Sequence, residues 1–197
     1  MTQIAIIDSG GANISSVRFA LQRLGYDGVL TTDRETIAQA DRVILPGVGA
    51  AGDAMQRLHE HRLDELIPEL SQPVLGICLG MQLLCERSQE DDTNCLGIIP
   101  CAARKFVVDK ALPVPHMGWN QLQIEGSSPL LHSLPDGSYF YFVHSYAVDL
   151  SPFTLATADY GGRFSAMIHH KNFLGAQFHP ERSGRSGARI IENFLRM

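Results

Sequence analysis

The chain has 197 residues, 45% hydrophobic and 19% charged, with a formal net charge of −5. That length suits one domain, residues 1–197, with a real core. The acidic balance leaves no footprint for nucleic acid and no basic run for a membrane surface. No apolar run approaches transmembrane length. Cys78, Cys85, Cys95 and Cys101 form no C-x-x-C pair and no zinc spacing, so no metal or other cofactor is expected, and a reduced, cytoplasmic compartment is the simple reading. The first eight residues lack a basic segment and a cleavage site, and read as a strand rather than a signal peptide.

Ile4 to Asp8 reads as a buried strand ending in Ser9-Gly10-Gly11. The glycines lack the G-x-G-x-x-G spacing and a following Lys-Ser/Thr, so a tight turn is expected there rather than a phosphate cradle. A helix from Asn13 to Leu24 follows and stops at Gly25. Val29 to Thr31 is a second strand, Glu35 to Gln39 a short helix, and Arg42 to Leu45 a third strand. Gly47, Gly49 and Gly52 then let the backbone approach a ligand closely. Asp53 is expected to cap a long helix from Ala54 to Leu70, with Pro68 ending its last turn. Val74 to Ile77 is a fourth strand, and Leu79 to Arg87 a helix. Beyond it the pattern changes to short strands: Ile98, Val107-Val108, Leu122 to Ile124, the aromatic run Tyr139 to Tyr146, Thr154 to Ala158, Ser165 to His169 and Phe173 to Phe178. A helix from Arg185 to Leu195 closes the chain. The expected fold is α/β: a flavodoxin-like, open, mostly parallel sheet flanked by helices, with an antiparallel, strand-rich C-terminal part.

Two stretches carry chemistry. Gly76-Ile77-Cys78-Leu79-Gly80 places a cysteine at a sharp strand-to-helix turn, the pattern of a nucleophile elbow. A helix N-terminus favours thiolate over thiol, and the Leu79 N–H points at the same spot. Alone, Cys78 reads equally as a buried structural thiol. Farther on, His179-Pro180-Glu181 follows a strand. Proline holds His179 extended, and residues two apart then share a face, so Glu181 reaches one imidazole nitrogen while the other faces outward. Nucleophile, base and orienting carboxylate together form the logic of a triad. Cys85, Cys95 and Cys101 are expected to be core or incidental.

The Gly76–Gln82 and Gln177–Glu181 stretches resemble the triad, class I type glutamine amidotransferases. Leu45 to Gly49, Pro115 to Asn120, Phe142 to Tyr146 and Glu181 to Gly184 are similar to one branch, the glutaminase subunits of imidazole glycerol phosphate synthase. The likeness runs over essentially the whole chain. It implies that Cys78 attacks the side-chain amide of glutamine, that His179 carries the proton, and that Glu181 orients His179. It implies oxyanion donors at Leu79 and Val48, and glutamine held by Gly47, Gln82, His144, Ser145 and Tyr146. It implies a heterodimer with a (β/α)₈ cyclase subunit that consumes the ammonia in histidine biosynthesis. Trp and Met are enriched at interfaces, so His116, Met117, Trp119 and Asn120, with the loop after Glu181, are the candidate docking elements. Plainer readings stand beside these: Gln82 as a packed polar side chain, His144 as a satisfied strand residue, Trp119 as core. A glutaminase for another synthase, a stand-alone cysteine hydrolase and a non-catalytic binding module are the rival functions.

Overall fold

The computed structural model describes residues 2–10, 14–107 and 112–197. Gly11 and Asn13, in the expected glycine turn and helix start, and Val108, in an expected strand, lie outside the described residues. In the first half, strands β1 (Ile4–Ile7), β2 (Gly28–Thr31), β3 (Arg42–Gly47) and β4 (Val74–Cys78) alternate with α1 (Ile14–Arg23), α2 (Arg34–Gln39), α3 (Ala51–Glu60), α4 (Leu63–Leu66) and, after the elbow, α5 (Leu79–Leu83). The pairings among these strands are all parallel. Successive side chains point to opposite faces of a strand. Ile4 and Ile6 therefore join a core with Val17, Leu21, Ile190 and Phe194, while Ala5 and Ile7 join a second with Leu58, Leu63 and Met81. The sheet is covered on both sides, as parallel sheets are.

The second half contributes β5 (Cys85–Ser88), β6 (Thr93–Asn94), β7 (Ile99–Lys105), β8 (His116–Gln121), β9 (Gln123–Ile124), β10 (Tyr139–His144), β11 (Tyr146–Val148), β12 (Thr154–Asp159), β13 (Arg163–His170), β14 (Phe173–Ala176) and α6 (Gly184–Leu195). Most of its pairings are antiparallel, as expected. Two are not: β5 runs parallel to β7, and β14 inserts beside β4 and runs parallel to it. The order β2-β1-β3-β4-β14 is the flavodoxin-like order 2-1-3-4-5, with the fifth place taken by a strand from near the C-terminus. Strands β8 and β10 form a separate two-stranded ribbon. Among the described residues no helix is long and apolar enough to cross a membrane.

Several expected boundaries shift, for identifiable reasons. The helix expected from Ala54 to Leu70 breaks at Arg62, which is left-handed with φ 53. Leu58 and Leu63 are both fully buried. Five residues apart on an unbroken helix they would point well apart, so the break lets both reach the core. Asp53 caps nothing; the helix begins at Ala51, and the Ala51 N–H is capped by Glu90 Oε2 at 2.8 Å. The elbow helix ends at Leu83 rather than Arg87. The carbonyls of Leu83, Leu84 and Cys85 accept from the amides of residues 96–99, which pulls the chain into the sheet as β5. Val107 is exposed and outside any strand.

Candidate active site

Cys78 ends β4 with φ 54 and ψ −111, a conformation that costs a non-glycine residue about 1–3 kcal/mol and persists only where the surroundings enforce it. The enforcement is close packing. A Cβ on Gly80 would stand 1.8 Å from the Leu45 carbonyl oxygen, and one on Gly76 would stand 2.6 Å from the Gly80 oxygen. The glycines flanking the cysteine let α5 fold back directly onto β3 and β4. Leu79 opens α5, and first-turn amides have no acceptor within their helix. The register pairs Gly47 with Cys78 and Ala176 with Ile77, so β3, β4 and β14 deliver their carboxyl ends to one place.

His179 follows β14 and is tied down from two sides. Its backbone N–H donates to the Tyr141 carbonyl at 2.9 Å. The Ser183 hydroxyl donates to the His179 carbonyl at 2.7 Å and accepts from the Tyr141 N–H at 3.0 Å. His179 Nδ1 lies 2.9 Å from Glu181 Oε1, with the two side chains 6% and 0% exposed. The ring is also hydrogen-bonded to the Cys78 side chain. Burial pulls the imidazole pKa down, but the hydrogen bonds and charges of Cys78 and Glu181 together outweigh it and push the value up to about 10. The ring therefore holds its proton beside the sulfur at neutral pH. The Cys78 Sγ also lies 3.7 Å from the Val143 carbonyl and 3.9 Å from Gln177 Nε2.

These groups border a cleft of about 560 Å³ lined by Val48, Gly49, Cys78, Leu79, Gln82, Glu90, His144, Ser145, Tyr146 and His179. Gly47, expected at the substrate, is absent from that lining. Its missing side chain serves packing instead, since a Cβ there would come 2.8 Å from the Gly80 nitrogen. Gln82 lines the cleft but spends its amide nitrogen on the Tyr146 carbonyl at 2.9 Å and on Gln177 Oε1 at 3.0 Å. Gln177, Ser183 and Glu90 were not singled out from sequence. Gln177 had a signal, because it stands two residues before His179 in extended chain and so shares its face.

The 116–120 segment divides by strand alternation. Met117 and Trp119 point outward, 62% and 55% exposed. His116 is only 3% exposed and is no surface docking residue. Asn120 is half-buried and spends its amide on the chain itself, donating to the Asp159 carbonyl at 2.8 Å. Cys85 is a core residue and Cys95 and Cys101 pack against that core, as expected, with the Cys85 and Cys101 sulfurs 3.2 Å apart across β5 and β7.

A family model described as glutamine amidotransferase class-I matches residues 5–197. The chain is 53% identical over 194 residues to "Imidazole glycerol phosphate synthase subunit HisH" of Idiomarina loihiensis, covering 98% of this chain and 97% of the relative. It is 49% identical over 195 residues to the subunit of the same name from Yersinia pestis, covering 98% and 99%. In fold alone it is similar to the structure of PurLQS from Thermotoga maritima, with TM-score 0.77 at 19% identity, covering 100% and 99%. A strained elbow cysteine bonded to a histidine held by a carboxylate, on this sheet order and with these relatives, means that the chain belongs to the class-I glutamine amidotransferases, in the branch of the imidazole glycerol phosphate synthase HisH subunits.

Proposed function

We propose that this chain is the glutaminase subunit of an imidazole glycerol phosphate synthase, one domain that cleaves glutamine with Cys78, His179 and Glu181. The sulfur attacks the side-chain amide carbon, and the carbonyl electrons move onto oxygen. The amides of Leu79 and Val48 bind that oxyanion, a term worth about 3 kcal/mol per donor. The His179 imidazolium protonates the departing nitrogen, ammonia leaves, and a glutamyl thioester remains. Neutral His179 then takes a proton from water as the oxygen attacks. Glutamate leaves, and the proton stays on the ring beside the restored sulfur anion. Glu181 keeps the Nδ1 proton in place throughout. The observation that carries this reading is the hydrogen-bonded series Cys78–His179–Glu181 on the cleft wall.

Ammonia released into water becomes ammonium and loses its nucleophilicity, so a shielded acceptor is needed. The reading therefore includes a cyclase subunit docked against this chain in the cytoplasm. The outward ribbon face supports it: Met117, Trp119 and Tyr139 stand exposed together on β8 and β10. Large aromatic and Met side chains of this kind are enriched at interface centres. The test is glutamate release with and without the purified cyclase and its nucleotide ligand, for the native chain and for Cys78→Ala. Loss of turnover in a variant that still co-elutes with the cyclase is expected. Retained hydrolysis by Cys78→Ala removes the cysteine from the mechanism, and full activity of the native chain without a partner points to a stand-alone hydrolase.

A further inference from the structure

The cleft wall formed by residues 144–146 depends on a buried histidine pair that the chemistry above does not use. His144 and His116 face each other in the β10–β8 ladder, both nearly inaccessible to solvent. The protons between them are fixed by bookkeeping. The Tyr146 carbonyl, 2.8 Å from His144 Nδ1, is an acceptor only, so Nδ1 carries the hydrogen. A neutral imidazole has one N–H, which makes His144 Nε2 an acceptor. His116 Nδ1, 3.0 Å away, must then donate, leaving His116 Nε2 to accept. The group facing that nitrogen, Asn120 Nδ2 at 3.4 Å, is a donor only. The Asn120 amide is itself oriented at both ends, donating to the Asp159 carbonyl and accepting from the Gln121 N–H at 2.8 Å. Burial holds His116 and His144 at pKa values of about 4 and about 3, so both rings are neutral at pH 7, as the scheme requires.

The His116 ring cannot turn away. It stacks between Phe142, at 5.1 Å and 22°, and Tyr160, at 4.0 Å and 21°. The Tyr146 carbonyl that ends the series also accepts from Gln82, which bonds Gln177, whose own amide points at Cys78. We infer that His116 is a positioning residue for glutamine binding: its Nδ1–H satisfies Nε2 of His144 and so holds the ring where its Nδ1–H ties down the Tyr146 carbonyl and the backbone of residues 144–146 that walls the cleft. The inference rests on the reading that this wall holds glutamine. Without the His116 donor, a buried acceptor on His144 is stranded. The ring recovers it only by turning Nε2 towards water, which breaks the Nδ1–H bond to the Tyr146 carbonyl and frees that strand end.

The test uses the chain in complex with its cyclase. His116→Phe preserves both stacking contacts and removes the donor, while His116→Asn keeps an amide nitrogen where Nδ1 stood. For His116→Phe the KM for glutamine is expected to rise about tenfold or more, the loss typical of a stranded buried partner, with kcat within about threefold. ¹⁵N-imidazole NMR of the full chain is expected to show the His144 Nε2 resonance shifted by an accepted hydrogen bond in the native protein and not in His116→Phe. His116→Asn is expected to restore both readouts. If His116→Phe does not fold, Asn120→Ala frees the same proton from the other end and is expected to move both readouts in the same direction. A native KM with an unchanged His144 Nε2 resonance in either variant overturns the inference, as does a folded His116→Asn as impaired as His116→Phe. Absence of glutamine turnover in the native complex overturns the glutaminase reading instead, and leaves the Nε2 result standing.

Discussion

Replacing Glu181 with Gln tests the site most directly, because it changes charge and hydrogen placement but hardly changes shape. The carboxylate is fully buried and bonded at 2.9 Å to a nearly buried ring. Removing one partner of such a pair costs about 3–5 kcal/mol, which at about 1.4 kcal/mol per tenfold is roughly 10²–10³·⁵ in rate. Tautomer adds to this. A Gln amide that offers N–H to Nδ1 forces the ring hydrogen onto the nitrogen facing Cys78, where it blocks uptake of the proton from the attacking water; the corresponding change in a serine protease triad lowers kcat about 10⁴-fold. We expect kcat to fall on the order of 10³-fold with KM within about threefold, since the carboxylate touches the base rather than the substrate. Glutamate release at saturating glutamine, coupled to glutamate dehydrogenase, measures the rate. Ring NMR of His179 is expected to show its pKa falling well below about 10. A Glu181→Gln enzyme within tenfold of native kcat, with His179 titrating as before, would refute the reasoning.

Gly187→Ala should destabilise the fold by about 2 kcal/mol or more, against the usual gain of about 1 kcal/mol for Gly→Ala inside a helix. A Cβ there meets the Pro180 carbonyl at 1.9 Å and pushes on the His-Pro-Glu turn. A urea midpoint above native would contradict this. Trp119→Ala should leave the isolated chain within about 0.5 kcal/mol of native stability but weaken cyclase binding about 30-fold, as for an interface anchor; titration calorimetry showing unchanged affinity would count against the docking face. The depressed pKa values of His116 and His144 give a signed pH effect. Below about pH 6.5 the unfolded chain takes up protons that the folded rings refuse, so their contribution to stability falls as pH drops towards about 4, by about 2 kcal/mol per ring at pH 5. His116→Phe deletes one ring's share. Its urea midpoint should therefore fall less between pH 7 and pH 5 than the native midpoint, and an equal fall would contradict the burial argument.

The elbow and the first four strands were legible because their signals are local: apolar runs of strand length, and glycines placed symmetrically about Cys78. What escaped sequence reading was set by distant contacts. The cap of α3 comes from Glu90, 39 residues away, so Asp53 was the natural but wrong candidate. The end of α5 is dictated by amides of residues 96–99 that claim its last carbonyls. His116 reads as a docking residue only by company, since the interface signal of its segment comes from Met117 and Trp119. Alternation along a strand would have sent it inward, but the segment carried no clear strand pattern to apply that rule to. Gln177 lies within the Gln177–Glu181 motif, but an amide carries no obvious chemistry until the sulfur 3.9 Å from it is seen.

The deeper reason that Cys78 and His179 meet lies in strand order. Adjacent parallel strands run about 4.8 Å apart, so side chains just beyond their carboxyl ends are within one hydrogen bond of each other almost automatically. Cys78 ends β4 and His179 follows β14, with Ile77 opposite Ala176 in the register. Had β14 paired at the outer edge of the sheet beside β2, three further strand spacings would separate base from nucleophile, and no local motif could rescue the pair. The small residues of β14 permit the insertion. A Cβ on Gly175 would come 2.6 Å from Met81 Cγ, so a larger residue there would push the elbow helix off the strand that carries the base. A substitution far from the cleft floor, at Gly175, would thus separate the sulfur from the imidazole without touching either.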